Sequence, residues 1–466
     1  MAQVSFRLSN IVATSAAIVV LCLAGSLMGQ HQHEGMEPSK DSVTTGAKMQ
    51  SGIFASAPMS RMGSGTSWHP DVSRLEAYHV MAGNWALMIH GNLYLRYNTQ
   101  DIRNTTRNKD QQFDAPGWVM LMAQPMTRSR LQFLGRAMIS VDRFSMGGDG
   151  YPLLLQTGET WNNQPLVDRQ HPHEVFSELA VMTSMVAGEK VAIFGYFGYP
   201  GEPALGPPAF MHRPSALSKP DAALGHHWQD ATHITFGVLT GGVQYGKAKF
   251  EGSLFTGREP DENRYNFDKA KFDSYSFRGS ANIGDRAAAQ VSWGFLESPE
   301  RLEPEIDQRR TSASLLYQFP LGEQEYLAIA LVWGMIDPTD SERLHSGLIE
   351  GEYELGSGSI YSRLEIVEKN AHELAIEELD SQKFTVGALT VGITRSVARF
   401  ELLNVRVGAQ VTFDRVPQLL EPYYGRTPVS AEVFLRLFPL PEPMNHNQPK
   451  SEPMRSMKVE MASASK

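Results

Sequence analysis

The chain has 466 residues, a formal net charge of −9 at pH 7, 42 % hydrophobic residues and a single cysteine, Cys22. The acidic balance excludes a general nucleic-acid binder, and one cysteine leaves no disulfide framework to hold a small fold together. Mean hydropathy is −0.28, and beyond the first 30 residues no stretch is apolar for long enough to cross a bilayer as a helix.

Residues 1 to 30 read as a signal peptide. Arg7 supplies the basic start, Ile11 to Leu27 the apolar run, and Gly29-Gln30 a plausible cleavage point. Cys22 lies inside that run without the small preceding residue of a lipoprotein site, so lipidation is not expected. Residues 31 to 74 read as a disordered leader, rich in Ser, Gly, Met and Lys. His31, His33, Met36, Met49, Met59 and Met62 lie within it. These imidazoles and thioethers suit copper, or they are incidental in a solvated linker; a further reading is a structural barrel that binds a periplasmic partner through this leader.

From Asn84 the pattern becomes strict alternation. Trp85, Leu87, Ile89, Leu93, Leu95 and Tyr97 share one face, and Met88, His90, Asn92, Tyr94 and Arg96 the other. The same period-two register recurs at about 16 positions. Strand starts are expected near 84, 117, 129, 173, 190, 231, 243, 272, 286, 309, 325, 343, 358, 383, 398 and 428. Short turns such as Ile283-Gly284-Asp285-Arg286, with Gly241-Gly242 also read as one, alternate with long connections carrying Pro, Asn, Asp and charge. Strands approaching ten residues, with Lys249, Glu251, Arg278, Arg363, Glu365, Arg406, Glu432 and Arg436 on the polar face, fit a wet lumen better than a β-sandwich. The expected fold is all-β: a transmembrane antiparallel β-barrel over residues 75 to 440. Roughly 14 to 18 strands are compatible with the pattern. Residues 441 to 466 read as a disordered tail.

One stretch breaks the alternation. Val167 to Gly242 carries six of the chain's 14 histidines and the run Gly198 to Pro214, too rich in Gly and Pro for a helix or a central strand. A long ordered Gly/Pro-rich loop is expected here, mounted on the barrel and carrying its function. A cluster of His171, His173, His226, His227 and His233 with Glu174 or Asp230 would suit zinc or copper(II), with Met211 and His212 as softer additions. The same groups could instead form a buried polar network that orders a loop plugging the lumen. A third reading, an outer-membrane enzyme acting on lipid or envelope substrates, has His233 beside Thr235, Ser177 and Ser253 as hydroxyls, and Glu178 and Glu251 as acids. It has no Gly-x-Ser-x-Gly elbow behind it.

Several segments resemble an uncharacterised family of Gram-negative outer-membrane barrel proteins. They are Gly65-Thr66-Ser67-Trp68 with Pro70, Asp168 to His173, Gly201 to Arg213, His226-His227-Trp228 with Asp230 and His233, and Gly257-Arg258-Glu259-Pro260-Asp261. The resemblance spans roughly residues 65 to 440 and implies an outer-membrane barrel. It also implies a setting near heavy-metal and copper resistance systems, and no settled activity. Residues and resemblance together point to a porin-like channel or binding protein, embedded in outer-membrane lipid, for a small solute or ion.

Overall fold

Apolar side chains at every second position need lipid on one side, and polar ones between them need partners on the other. Sixteen antiparallel strands meet both needs by closing on themselves. The computed structural model describes residues 50 to 440, except 52, 104 to 108, 128, 323, 380 and 381. The expected signal peptide, residues 31 to 49 of the expected leader and the expected tail, 441 to 466, lie outside the described residues.

The wall runs β1 Trp85–Thr99, β2 Gly117–Pro125, β3 Leu131–Ser140, β4 Phe176–Ala187, β5 Val191–Gly198, β6 Val238–Tyr245, β7 Ala248–Phe255 and β8 Ser274–Ile283. It continues with β9 Ala287–Leu296, β10 Gln308–Pro320, β11 Glu325–Pro338, β12 Leu344–Leu355, β13 Gly358–Asn370, β14 Lys383–Arg399, β15 Leu403–Arg415 and β16 Val429–Pro439. β16 closes onto the upper part of β1, from Leu437 opposite Leu93 to Ala431 opposite Thr99. Two short strands fill the seams beside β1: Ala77–Ala82 along its lower half and Gln111–Asp114 along its upper half.

Outward positions are apolar and inward ones polar, as the alternation requires. Phe277, Val291 and Val433 are 47 %, 62 % and 55 % exposed, while Arg278, Arg406 and Arg436 are buried inside. Exposed aromatic side chains mark both rims, with Trp85, Tyr245 and Tyr353 near the short-turn end and Tyr97, Phe197, Tyr275 and Phe413 near the long-loop end. An apolar band between two aromatic girdles, on a sheet with no free edge, is the architecture that a bilayer demands of strands. The chain is an outer-membrane barrel of the Gram-negative type.

Two local expectations are corrected. The strand expected from residue 231 begins at Val238, because 226 to 233 curls into a short helix and a 3-10 turn. Ile234 and Phe236, which alternation in a strand from 231 would turn to lipid, are therefore buried. Gly241 and Gly242 lie within β6, paired with β5 and β7, and the turn falls at Gly246-Lys247.

The lumen is filled. Residues 53 to 74, expected in a disordered leader outside the wall, pack inside the short-turn end. Phe54 stacks edge-on against Phe194 and Trp68. Arg61 pairs with Asp71 at 2.6 Å, and Lys249 of β7 bonds the Thr66 carbonyl. The physical reason is that Ile53, Phe54, Met59, Met62 and Trp68 supply enough apolar surface to cover the lumen floor. Above this lies the 199 to 237 segment, held to the wall by buried ion pairs. Arg213 contacts Asp230 at 3.1 Å and Glu350 of β12 at 2.6 Å. Arg96 of β1 contacts Asp221 at 2.6 Å, and Arg278 of β8 donates to the Gly206 carbonyl at 2.8 Å. Charges buried this way fix the register of the segment, because a slip strands each of them. The 141 to 175 connection completes the filling at the long-loop end, where Asn98 of β1 donates to the Pro152 carbonyl at 2.7 Å.

Candidate metal centre

Two inward-folded connections meet in the long-loop half of the lumen. The first brings His171 and His173, two residues apart in extended chain just before β4. The second brings the short helix His226–Gln229 and the 3-10 turn Ala231–His233. The helix can approach the wall because β11 has a glycine opposite it: a Cβ on Gly334 would stand 2.3 Å from the Trp228 carbonyl oxygen. Gly158 does the same above the helix, at φ +106°, where a Cβ would meet the His227 ring at 2.8 Å.

Five imidazoles converge. Ring centroids are 4.4 Å apart for His226 and His227, 5.3 Å for His226 and His233, 5.3 Å for His173 and His233, 5.6 Å for His171 and His173, and 5.8 Å for His171 and His227. All five are buried. Four of them share one hydrogen-bond pattern. Nδ1 of His173 lies 2.7 Å from Asp142 Oδ2, and Nδ1 of His226 lies 3.0 Å from Asp230 Oδ1. Nδ1 of His233 lies 2.7 Å from the Asp230 carbonyl, and Nδ1 of His171 lies 3.2 Å from the Pro172 carbonyl. These carbonyl and carboxylate oxygens only accept, so in each ring Nδ1 is the donor, and Nε2 is the nitrogen that bears the lone pair when the imidazole is neutral. In all four rings that Nε2 is buried without a hydrogen-bond partner, as are both ring nitrogens of His227. His171 Nε2 does lie 3.2 Å from Glu159 Oε1, but out of line for a hydrogen bond.

Donor atoms from His171, His226 and His227 all lie within 4.8 Å of one another, as do those of His226, Asp230 and His233, and those of Glu159, His227 and Glu259. Burial holds His171 and His227 well below the usual imidazole range, helped by Arg264 for His171 and by His226 for His227. Burial, with His226 and His173 as neighbours, lowers His233 to about 3. Burial also lowers His226, against the pull of Asp230. These rings are neutral at neutral pH, the protonation state in which imidazole is a ligand.

The other sites expected from sequence divide. Asp230 belongs to the cluster. Glu174 does not: its carboxylate pairs with Arg264. The other acids beside the imidazoles are Asp142, Glu159 and Glu259, which sequence reasoning missed because none adjoins a flagged histidine in sequence: Asp142 and Glu159 lie early in the 141 to 175 connection and Glu259 lies on the connection after β7. His212 lies apart, with its ring 4.3 Å from Trp118 and 6.1 Å from His90. The groups weighed for catalysis are engaged elsewhere. Glu178 bonds Arg136 and Tyr196, Glu251 pairs with Arg278 and Lys249, and Ser253 accepts from the Ala204 amide.

Above the imidazoles opens a vestibule of about 730 Å³. Its lining carries nine carboxylates, among them Glu159, Glu259, Glu300 and Glu373, against four Lys and Arg side chains. Burial raises the Glu159 carboxyl to about 7 in spite of Arg264, and burial together with Glu159 raises Glu259 well above the ordinary carboxylate range. Since Glu159 and Glu259 also stand beside His227, the vestibule floor is the roof of the imidazole cluster.

No family model matches the chain, and no curated protein matches it. Solved structures similar to it include Salmonella typhi OmpF in complex with daunomycin, 9 % identical with TM-score 0.48 over 78 % of this chain and 100 % of that one. An anion-selective porin from Comamonas acidovorans is 9 % identical with TM-score 0.46 over 76 % and 99 %. Outer-membrane expressed OmpT of Vibrio cholerae is 9 % identical with TM-score 0.43 over 78 % and 100 %. Identity and superposition this low leave function to the chain's own interior.

Proposed function

We propose that this outer-membrane barrel takes up a borderline transition-metal ion, zinc or copper(II), from the vestibule and holds it at the buried imidazole cluster. The observation that carries the reading is the shared orientation of four rings: Nδ1 anchored on an oxygen acceptor, Nε2 buried and unpartnered. Metal-ligating histidines are anchored in this way through their second nitrogen, which fixes the tautomer and aims the ring. Each buried orphan nitrogen costs about 1–3 kcal/mol, and a bound ion would take several of them at once. Donors 2.0–2.1 Å from one ion stand roughly 3–4 Å apart, so occupancy draws these rings slightly closer than they stand. The exposed carboxylates of the vestibule, such as Asp340 and Glu342, concentrate cations at the entrance, and the solute of this porin-like barrel is then the metal itself. A setting near metal-resistance systems, implied by the resemblance of its motifs, fits the same cargo.

The test is calorimetric titration of the folded barrel in detergent with zinc and with copper(II), beside the double variant His171→Ala/His226→Ala. The expected result is one tight site in the parent, at least 100-fold weaker in the variant. Equal uptake by parent and variant removes the reading.

A further inference from the structure

A second chamber lies nearer the short-turn end and has a different donor chemistry. Its cavity, about 50 Å³, is lined by the thioethers of Met59, Met62, Met88, Met120 and Met122. His69, His90 and His212 also line it. Three parts of the fold build it: the N-terminal segment, the adjacent strands β1 and β2, and the turn Phe210–His212 of the central segment. His90 Nε2 sits 3.1 Å from the Met120 sulfur. Both ring nitrogens of His69 and Nε2 of His212 are buried without a hydrogen-bond partner. Trp118 packs between the rings, 5.0 Å from His90 and 4.3 Å from His212.

Methionine is a common filler of irregular apolar cores, and thioethers alone would mean no more than that. Imidazole nitrogens are not core fillers. Placing unpartnered ones among sulfurs costs free energy unless something takes their lone pairs. Three charged groups share the lining, and each has a partner outside it: Arg136 pairs with Glu178 at 2.6 Å, Glu76 pairs with Arg436, and Arg74 donates to the Gln324 carbonyl at 3.0 Å. What remains is a neutral donor set of thioethers and imidazoles. Such a set offers no anionic ligand to offset a divalent charge, and its softness selects a soft ion.

We propose that this chamber is a binding site for a soft monovalent cation, copper(I) or silver(I), held by thioether sulfurs from Met88 and Met120 and by imidazole nitrogens of His69, His90 and His212. The volume is ample for one dehydrated ion. The site is separate in residues and in donor type from the imidazole cluster above it, so the two stand or fall independently. Phe210 lies between them, with its ring 5.4 Å from His226 while His212, two residues on, faces the lower chamber.

The probe is silver(I), which needs no reductant. The full chain, folded in detergent in chloride-free buffer, is dialysed against silver nitrate, and bound silver is measured by mass spectrometry alongside bound zinc. Met88→Leu/Met120→Leu keeps side-chain volume while removing two sulfurs. It should weaken the tightest silver site at least 10-fold and leave zinc uptake unchanged, whereas His171→Ala/His226→Ala should do the reverse. Silver affinity within twofold of the parent in the methionine variant overturns the proposal. Should that variant fail to fold, X-ray absorption on the silver-loaded parent decides. A first shell containing sulfur together with nitrogen supports the chamber, and a shell of oxygen or halide alone, an adventitious ion only, overturns it.

Discussion

Wall and filling of this barrel obey opposite rules. Along β9 or β15 each residue is settled by its parity: Val291 and Val407 face lipid, Gln290 and Arg406 face inward. Within residues 199 to 237 parity decides nothing, and each polar group is placed by a specific partner on a distant strand. The wall stands on apolar exposure to a bilayer, which is generic. The filling stands on individual buried pairs such as Arg213 with Glu350, which are not. The difference shows where the individuality of the molecule resides: parity sets the wall, and specific partners set the filling.

Mutations should separate the two regimes. The largest effect is expected from Arg213→Ala, which leaves Asp230 and Glu350 without their shared guanidinium. Breaking a buried pair costs about 3–5 kcal/mol, and hydrogen exchange should rise across residues 209 to 230 while β9 and β15 stay protected. Uniform loss of protection around the wall would erase the distinction between regions.

A pH effect on the filling comes next. Burial raises the Glu202 carboxyl from its ordinary 4.5 to about 8, with Arg278 opposing. The unfolded chain therefore releases this proton first. The stability that Glu202 contributes is fully present below about pH 4.5 and is lost as pH rises through about 8. Glu202→Gln should remove that slope, with a gain on the order of a few kcal/mol at pH 9. Denaturant midpoints for parent and variant that run parallel from pH 4.5 to 9 would count against it.

On the wall, Val291→Lys should cost about 2–4 kcal/mol at the bilayer midplane, while Tyr245→Lys at the rim should cost about 0–1 kcal/mol. Equilibrium unfolding in lipid vesicles distinguishes the two, and equal costs would contradict the depth assigned to them. The smallest predicted change compares two wall glycines. A Cβ on Gly334 would strike the Trp228 carbonyl at 2.3 Å, whereas nothing stands within 4 Å of one on Gly347. Gly334→Ala should cost about 1–3 kcal/mol through overpacking. Gly347→Ala should stay within about 0.5 kcal/mol.

The same contrast explains what the sequence disclosed. Sixteen alternating runs were legible because period two is a local signal, and Arg278, Arg406 and Arg436 announced a polar interior on their own. The inward course of the central loop was among the alternatives because its Gly and Pro exclude wall strands. Five of the six flagged histidines and Asp230 do come together. Glu174 and His212 do not, because adjacency in sequence says nothing about which partner, Arg264 or Trp118, claims a side chain in three dimensions. Glu159 and Glu259 were invisible for the converse reason, being brought to His227 only by the folding of separate connections. Residues 53 to 74 misled through composition. Their apolar residues are sparse for a domain with its own core yet sufficient to seal a lumen whose walls already exist.

The most direct test of the central claim is anomalous diffraction at the zinc edge from crystals of the full barrel grown with zinc. A single strong peak bonded to Nε2 atoms of His171 and His226, with His227 or His233 completing the shell and each anchored ring keeping its Nδ1 contact, is the predicted result. Ordered waters hydrogen-bonded to those Nε2 atoms, with no anomalous peak among them, would contradict it.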